Sequence, residues 1–196
     1  GGIPIIRPIS QCLAANEIGE IAGILNGTTN FILTKMIVDG MAFEDALKLA
    51  QENGYAERDP SADIYGHDAA RKICILASLC FGKHVYPDSV YTEGITKITL
   101  DDVAYIGAFG GVIKLLGRAK RMDDGKISAI VSPAIVMDGS QLASVNDVFN
   151  AILVRPVRLL CLFLFHLVLL HQHFTLPMSS SVSVSKFYSI HSAVNV

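Results

Sequence analysis

Residues 112–136 read VIKLLGRAKR, then MDDGK across the middle, then ISAIVSPAIV. Two apolar-rich runs flank Asp123-Asp124-Gly125, so the stretch predicts a β-hairpin with arms Val112–Arg121 and Lys126–Val136. Successive strand side chains point to opposite faces. Ile113, Leu115 and Gly117 therefore share one face, and Val112, Lys114 and Leu116 share the other. Both faces are partly apolar, which requires helices over one and leaves the other to meet a second subunit. The expected fold is α+β: a mixed sheet covered by helices, with the hairpin and a strand at Glu17–Leu25 in one sheet.

Around the hairpin the signals are mostly helical. Helices are expected over Ile3–Ala15, over Asn30–Val38 before Asp39-Gly40, and over Phe43–Glu52 before Asn53-Gly54. A further helix, His67–Cys80, is apolar nearly all round and should be buried on most sides. Leu100–Ala108 is weakly amphipathic, with Asp101 and Asp102 suited to a first turn. Ser89–Tyr91 reads as a short strand, and Asn146–Ala151 as the start of another helix. No internal repeat is present.

The chain has 196 residues, 51% of them hydrophobic, and a net charge of −2. That length suits one compact core. The absence of a basic stripe argues against a nucleic-acid partner. Cys12, Cys74, Cys80 and Cys161 form no C-x-x-C pair and show no metal spacing, and Cys74 and Cys80 read as small core hydrophobes. The first residues lack the layout of a secretory signal. A reduced, cytoplasmic setting fits.

Composition changes sharply near the C-terminus. After Arg158 only Lys186 is charged. Residues 159–170 are an apolar run whose helix would span roughly 18 Å, short of the roughly 30 Å of a bilayer core. The expectation is a domain over 1–154 followed by an aberrant or disordered tail, 155–196, as a reading-frame shift would produce. A buried core strand or a membrane anchor is the alternative reading of the apolar run. His171 and His173 form an H-x-H pair of the kind that can bind metal, but in this tail the signal is weak.

The chemistry concentrates in GYAERDPSADIYGHDAARK, residues 54–72. Glu57, Asp59, Asp63 and Asp68 lead into the helix that carries Lys72. Asp68 and Lys72 lie one turn apart on one face. Partial desolvation lowers a lysine's proton affinity and a nearby carboxylate raises it, a balance suited to a lysine that passes a proton. A plain surface ion pair is the competing interpretation, and His67 is a polar neighbour. Thr28, after Asn26-Gly27, offers a hydroxyl either for a ligand or for a helix cap.

The opening GGIPIIRP (1–8), GILNGTTNFIL (23–33), GYAERDP (54–60), DIYGHDAARK (63–72) and GGVIKLLGRAKR (110–121) resemble, in that order, the catalytic domain of homoserine dehydrogenases. The resemblance runs from Gly1 to about Val154. It implies the substrate-binding domain of a two-domain dehydrogenase that reversibly reduces L-aspartate 4-semialdehyde to L-homoserine, in threonine, methionine and isoleucine biosynthesis, with NADP or NAD. By this resemblance Lys72 and Asp68 are catalytic, and Glu57 and Asp63 bind substrate; the Thr28 hydroxyl is the further candidate beside them. The backbone carbonyls of Gly1 and Ile3 match positions that help bind a monovalent cation such as sodium. A homodimer with a small-molecule substrate and no membrane association is expected.

No G-x-G-x-x-G following a strand occurs in the chain, and Gly107, Gly110 and Gly111 lack the spacing. The cofactor is therefore expected to bind mainly through an N-terminal dinucleotide domain absent here, leaving this chain inactive alone. A non-enzymatic dimerisation or binding module derived from the same domain is the alternative.

Overall fold

The computed structural model describes residues 3–12, 17–157 and 163–167. After a π-helical turn at Pro8–Cys12, the order is β1 (Ile18–Ile24), α1 (Gly27–Val38), α2 (Phe43–Glu52), α3 (Ser61–Ile64), α4 (His67–Phe81), β2 (Tyr91–Thr92), α5 (Leu100–Ala108), β3 (Gly111–Arg121), β4 (Ile127–Met137), β5 (Asn150–Pro156) and β6 (Phe163–Leu167).

The six strands form one mixed sheet in the order β2-β4-β3-β1-β5-β6. All pairings are antiparallel except β2 with β4. The β3–β4 hairpin is in register from Gly111↔Met137 to Arg121↔Ile127, closed by Gly125 at φ +75°. The expected α+β class, the hairpin and the strand within 17–25 are all present.

Both faces of the sheet are covered over much of their area. Ile113 and Leu115 of β3, Ile21 of β1 and Val154 of β5 belong to the main core with residues of α1 and α4 such as Ile32, Leu33 and Ile73. On the opposite face Ile24, Leu116 and Ala151 pack with Leu142, Ala143 and Val145. The chain's own 138–149 segment thus covers part of the face that was expected to be left for a second subunit. Elsewhere on that face Glu20 pairs with Arg118 at 3.1 Å and Arg155 at 3.2 Å, tying β3, β1 and β5 together.

Three expectations need correction. Asn146–Ala151 does not begin a helix: Asn150 opens β5, which pairs with β1 from Ile24↔Ala151 onward. The segment's apolar residues are claimed by a ladder partner more than a hundred residues away, which local pattern cannot show. α4 is not buried on most sides: Ile75 and Leu79 are exposed at 55% and 42%. The first helix is seen over Ile6–Cys12, with 13–16 outside the described residues. Cys74 and Cys80 are free thiols, and burial pushes the Cys80 thiol up to about 12, as suits core packing.

β5 runs two residues past the boundary expected at 154, and β6 pairs with it from Asn150↔Leu167 to Val154↔Phe163. The rest of the tail, with His171 and His173, lies outside the described residues. No described helix is long and apolar enough to cross a membrane.

Candidate functional site

The site forms where β1 ends and α1 begins. Leu25-Asn26-Gly27 makes that passage, and Asn26 caps α1 by accepting a hydrogen bond from Thr29 N–H at 2.9 Å. Asn is among the best helix caps because its short side-chain carbonyl reaches a free N–H of the first turn. The short helix α3 and the start of α4 come against this point. Between them Gly66 adopts φ +82° as the residue preceding α4, a left-handed conformation strained for other residues.

Lys72 stands one turn into α4. Its Nζ donates to Asp68 Oδ2 at 2.6 Å and to the Leu25 carbonyl at 3.0 Å. The Lys72 side chain is 42% exposed and that of Asp68 25%, so the pair is half-open rather than enclosed. Asp68 Oδ2 also accepts from Asn26 Nδ2 at 2.9 Å, and Asp63 Oδ1 accepts from the same nitrogen at 2.7 Å. Asp63, Asn26, Asp68 and Lys72 therefore form one continuous hydrogen-bonded chain.

The four acids do not all crowd the lysine. Asp68 is its direct partner, and Asp63 joins through Asn26. Asp59 instead turns onto Ser61 at the start of α3, whose hydroxyl and N–H hold its carboxyl below the usual range. Glu57 is exposed, and its carboxylate makes no hydrogen bond or ion pair among the described residues. Its backbone is fixed, because Gln51 Nε2 donates to the Glu57 carbonyl at 3.1 Å. Thr28 is buried and donates to the Tyr55 carbonyl at 2.6 Å. That bond ties the loop bearing Glu57 to the start of α1, while the cap itself belongs to Asn26. His67 is exposed with its ring 6.3 Å from that of Tyr65.

A cleft of about 220 Å³ opens beside Lys72. Ile3, Ile6, Ile75 and Ile152 line it, and its polar side chains are Lys72 and Asn150. Asn150 is 9% exposed, and its Oδ1 has no hydrogen-bond partner among the described residues. The exposed flank of α4 at Ile75 thus faces this cleft. The carbonyl of Ile3 accepts from Ile5 N–H at 2.9 Å, while Gly1 lies outside the described residues. No cluster of three or more metal-ligating side chains occurs among the described residues.

Sequence reasoning missed Asn26 and Asn150. Asn26 directly follows the strand expected at Glu17–Leu25, and Asn-Gly-Thr-Thr is an acceptable N-cap signal. Nothing in the sequence brings Asn150 near Lys72; that proximity depends on β5 lying beside β1.

A family model described as homoserine dehydrogenase matches residues 4–164. A homoserine dehydrogenase of Synechocystis is 49% identical over 157 residues, covering 79% of this chain and 36% of that protein. The crystal structure of a homoserine dehydrogenase from Thiobacillus denitrificans matches with a TM-score of 0.81 and 44% identity, over 85% of this chain and 38% of its own. A hyperthermophilic archaeal homoserine dehydrogenase mutant, solved in complex with NADPH, matches with a TM-score of 0.68 and 30% identity, over 84% of this chain and 46% of its own. The chain spans about a third of the length of the curated relatives it matches.

Proposed function

The chain belongs to the homoserine dehydrogenase family, and from that premise we propose that it is the substrate-holding, proton-handling part of an NAD(P)-dependent oxidoreductase. The reaction is the reversible reduction of L-aspartate 4-semialdehyde to L-homoserine, in cytoplasmic threonine, methionine and isoleucine biosynthesis. The observation that carries this reading is Lys72 Nζ, held between Asp68 and the Leu25 carbonyl at the mouth of an apolar cleft.

Aldehyde reduction adds a hydride to the carbonyl carbon and a proton to its oxygen. A reduced nicotinamide, when bound, supplies the hydride. The residues beside Lys72 fit such a ring: isoleucines offer flat apolar contact, and the orphaned Asn150 Oδ1 is an acceptor that a carboxamide N–H would satisfy. Lys72 donates the proton, and its neutral amine is reprotonated through Asp68. Fixing Nζ from two sides keeps the donor in place, which is where orientation lowers a barrier. Asp63 and Glu57 hold the substrate ammonium, and Thr28 fixes the loop that presents Glu57.

The reading includes domain organisation. Residues 1–154 form the catalytic domain, and a dinucleotide domain of the whole enzyme supplies most of the cofactor site. By itself the 196-residue chain does not turn over. Gly1 and Ile3 belong to the proposal as carbonyl ligands of a monovalent cation such as sodium, with the remaining oxygens coming from elsewhere. Two copies associate as a homodimer. Tyr105 and Phe109 of α5 are exposed with rings 5.1 Å apart, apolar surface that association would cover.

L-Homoserine titrated into the chain tests the reading by amide chemical shifts. Perturbations should centre on residues 25–28 and 55–72, and Asp63→Asn should weaken them. A well-dispersed spectrum that homoserine leaves unchanged overturns it.

A further inference from the structure

Asn26 uses its whole amide. It is 6% exposed. Its Oδ1 accepts from Thr29 N–H at 2.9 Å and from the Thr29 hydroxyl at 3.1 Å. Its Nδ2 serves Asp63 at 2.7 Å and Asp68 at 2.9 Å. A primary amide has two N–H donors, and here each goes to a different carboxylate. The orientation of the amide follows from its partners. Thr29 N–H can only donate and carboxylate oxygens accept, so a flipped amide would break the bonds to Thr29 N–H, Asp63 and Asp68, leaving only the Thr29 hydroxyl, which can also accept.

Two carboxylates converging on one point repel each other and tend to share a proton. A neutral group that donates to both removes that tendency without adding a charge. Asp68 Oδ2 takes the Asn26 donor and the Lys72 ammonium together. Its position, and through it that of Nζ, is thus referred to the start of α1.

We propose that Asn26 is a positioning residue for the reaction: its amide bridges the substrate-holding Asp63 to Asp68 and sets the carboxylate oxygen that orients Lys72. This rests on the site reading above and adds to it a residue outside the acid–lysine motif. The titratable groups in contact are Asp63 from α3, and Asp68 with its partner Lys72 from α4; α1 and β5 bring only neutral side chains, Thr29 and Asn150.

The bridging role separates experimentally from the capping role. Asp and Ser cap helices about as well as Asn. Asn26→Asp keeps the cap and replaces both donors with a third carboxylate. Asn26→Ser keeps the cap with a hydroxyl too short, and with too few protons, to serve both acids. Carboxyl carbon NMR of the 196-residue chain then reads Asp63 and Asp68 directly. The expected result is that their titration curves move to higher pH in Asn26→Asp and, less far, in Asn26→Ser, with the melting temperature held. Curves that superimpose on the parent in either folded variant overturn the proposal and leave Asn26 as a helix cap.

A second arm uses residues 1–154 joined to the dinucleotide portion of a related homoserine dehydrogenase. There Asn26→Asp should lower kcat at neutral pH about tenfold or more and move the acid limb of the pH profile upward. A parent profile retained by Asn26→Asp, while Lys72→Ala is inactive, overturns the role of Asn26 alone. Full activity in Lys72→Ala overturns the reading of the whole site.

Discussion

Lys72 and Glu57 carry different kinds of load, and kinetics separates them. In an enzyme joined as above, Lys72→Ala should lower kcat by ~10²–10⁴ with little change in KM, because a proton donor acts chiefly in the transition state. Lys72→Arg keeps the charge but holds its proton, so it should match Lys72→Ala; near-full activity would make Lys72 an electrostatic residue. Glu57→Ala should instead raise KM, since an ammonium partner acts in ground and transition states alike. Lys114, on the far side of the sheet, offers a test of stability. It is fully buried and donates to the Val145 carbonyl at 2.6 Å, Asn146 Oδ1 at 3.0 Å and Asn30 Oδ1 at 3.2 Å. Burial pushes its ammonium down to about 8, with Asp147 opposing. The folded value lies below the unfolded one, so between pH 8 and the ordinary lysine range the unfolded chain binds more protons. Stability should therefore rise with pH across that window. Denaturant midpoints measured from pH 7 to 10.5 should show the rise in the parent and a flatter profile in Lys114→Met.

Among the elements, α4 matters most because it carries Asp68 and Lys72 and starts from a left-handed turn that glycine alone adopts freely. A methyl at Gly66 would stand 3.2 Å from Thr92 Cγ2 and 3.3 Å from Val131 Cγ1, at φ +82°. Gly66→Ala should cost about 1–2 kcal/mol for the left-handed backbone alone, read as a lower urea midpoint, and should loosen the Asp68–Lys72 pair. An unchanged midpoint would show that the turn relaxes freely. The hairpin and α4 were legible because their signals are local: an Asp-Gly turn between apolar arms, and an apolar run after Asp68. Residues 146–151 were not. Asn150–Pro156 becomes a strand because β1 offers a ladder partner, and a short apolar segment takes whichever partner the fold provides.

At the scale of the molecule the open question is what the C-terminal segment contributes. Within 17–157 the buried core ends at Val154. The pairing of Arg155 with Glu20 and the bond from Val157 N–H to the Glu17 carbonyl lie just beyond it. Deleting 158–196 keeps these and removes β6, an edge strand. Cooperative melting should survive with a shift within about 5 °C, and solubility should rise as the apolar run is lost. A larger fall or a broadened transition would make β6 part of the core.

The sequence by itself determined the hairpin, α4, the Asp68–Lys72 pair and the family, because each is written within a short window or a run of ordered motifs. Only the tertiary structure decided that Asn26 joins Asp63 to Asp68, that the Leu25 carbonyl holds Lys72, and that Asn150 lies in the wall of their cleft. Those contacts join residues some 37 to 78 positions apart. They exist because the end of β1, the start of α4 and the first residue of β5 meet at one end of the central strands, and strand order is set by the burial of whole faces rather than by any local pattern.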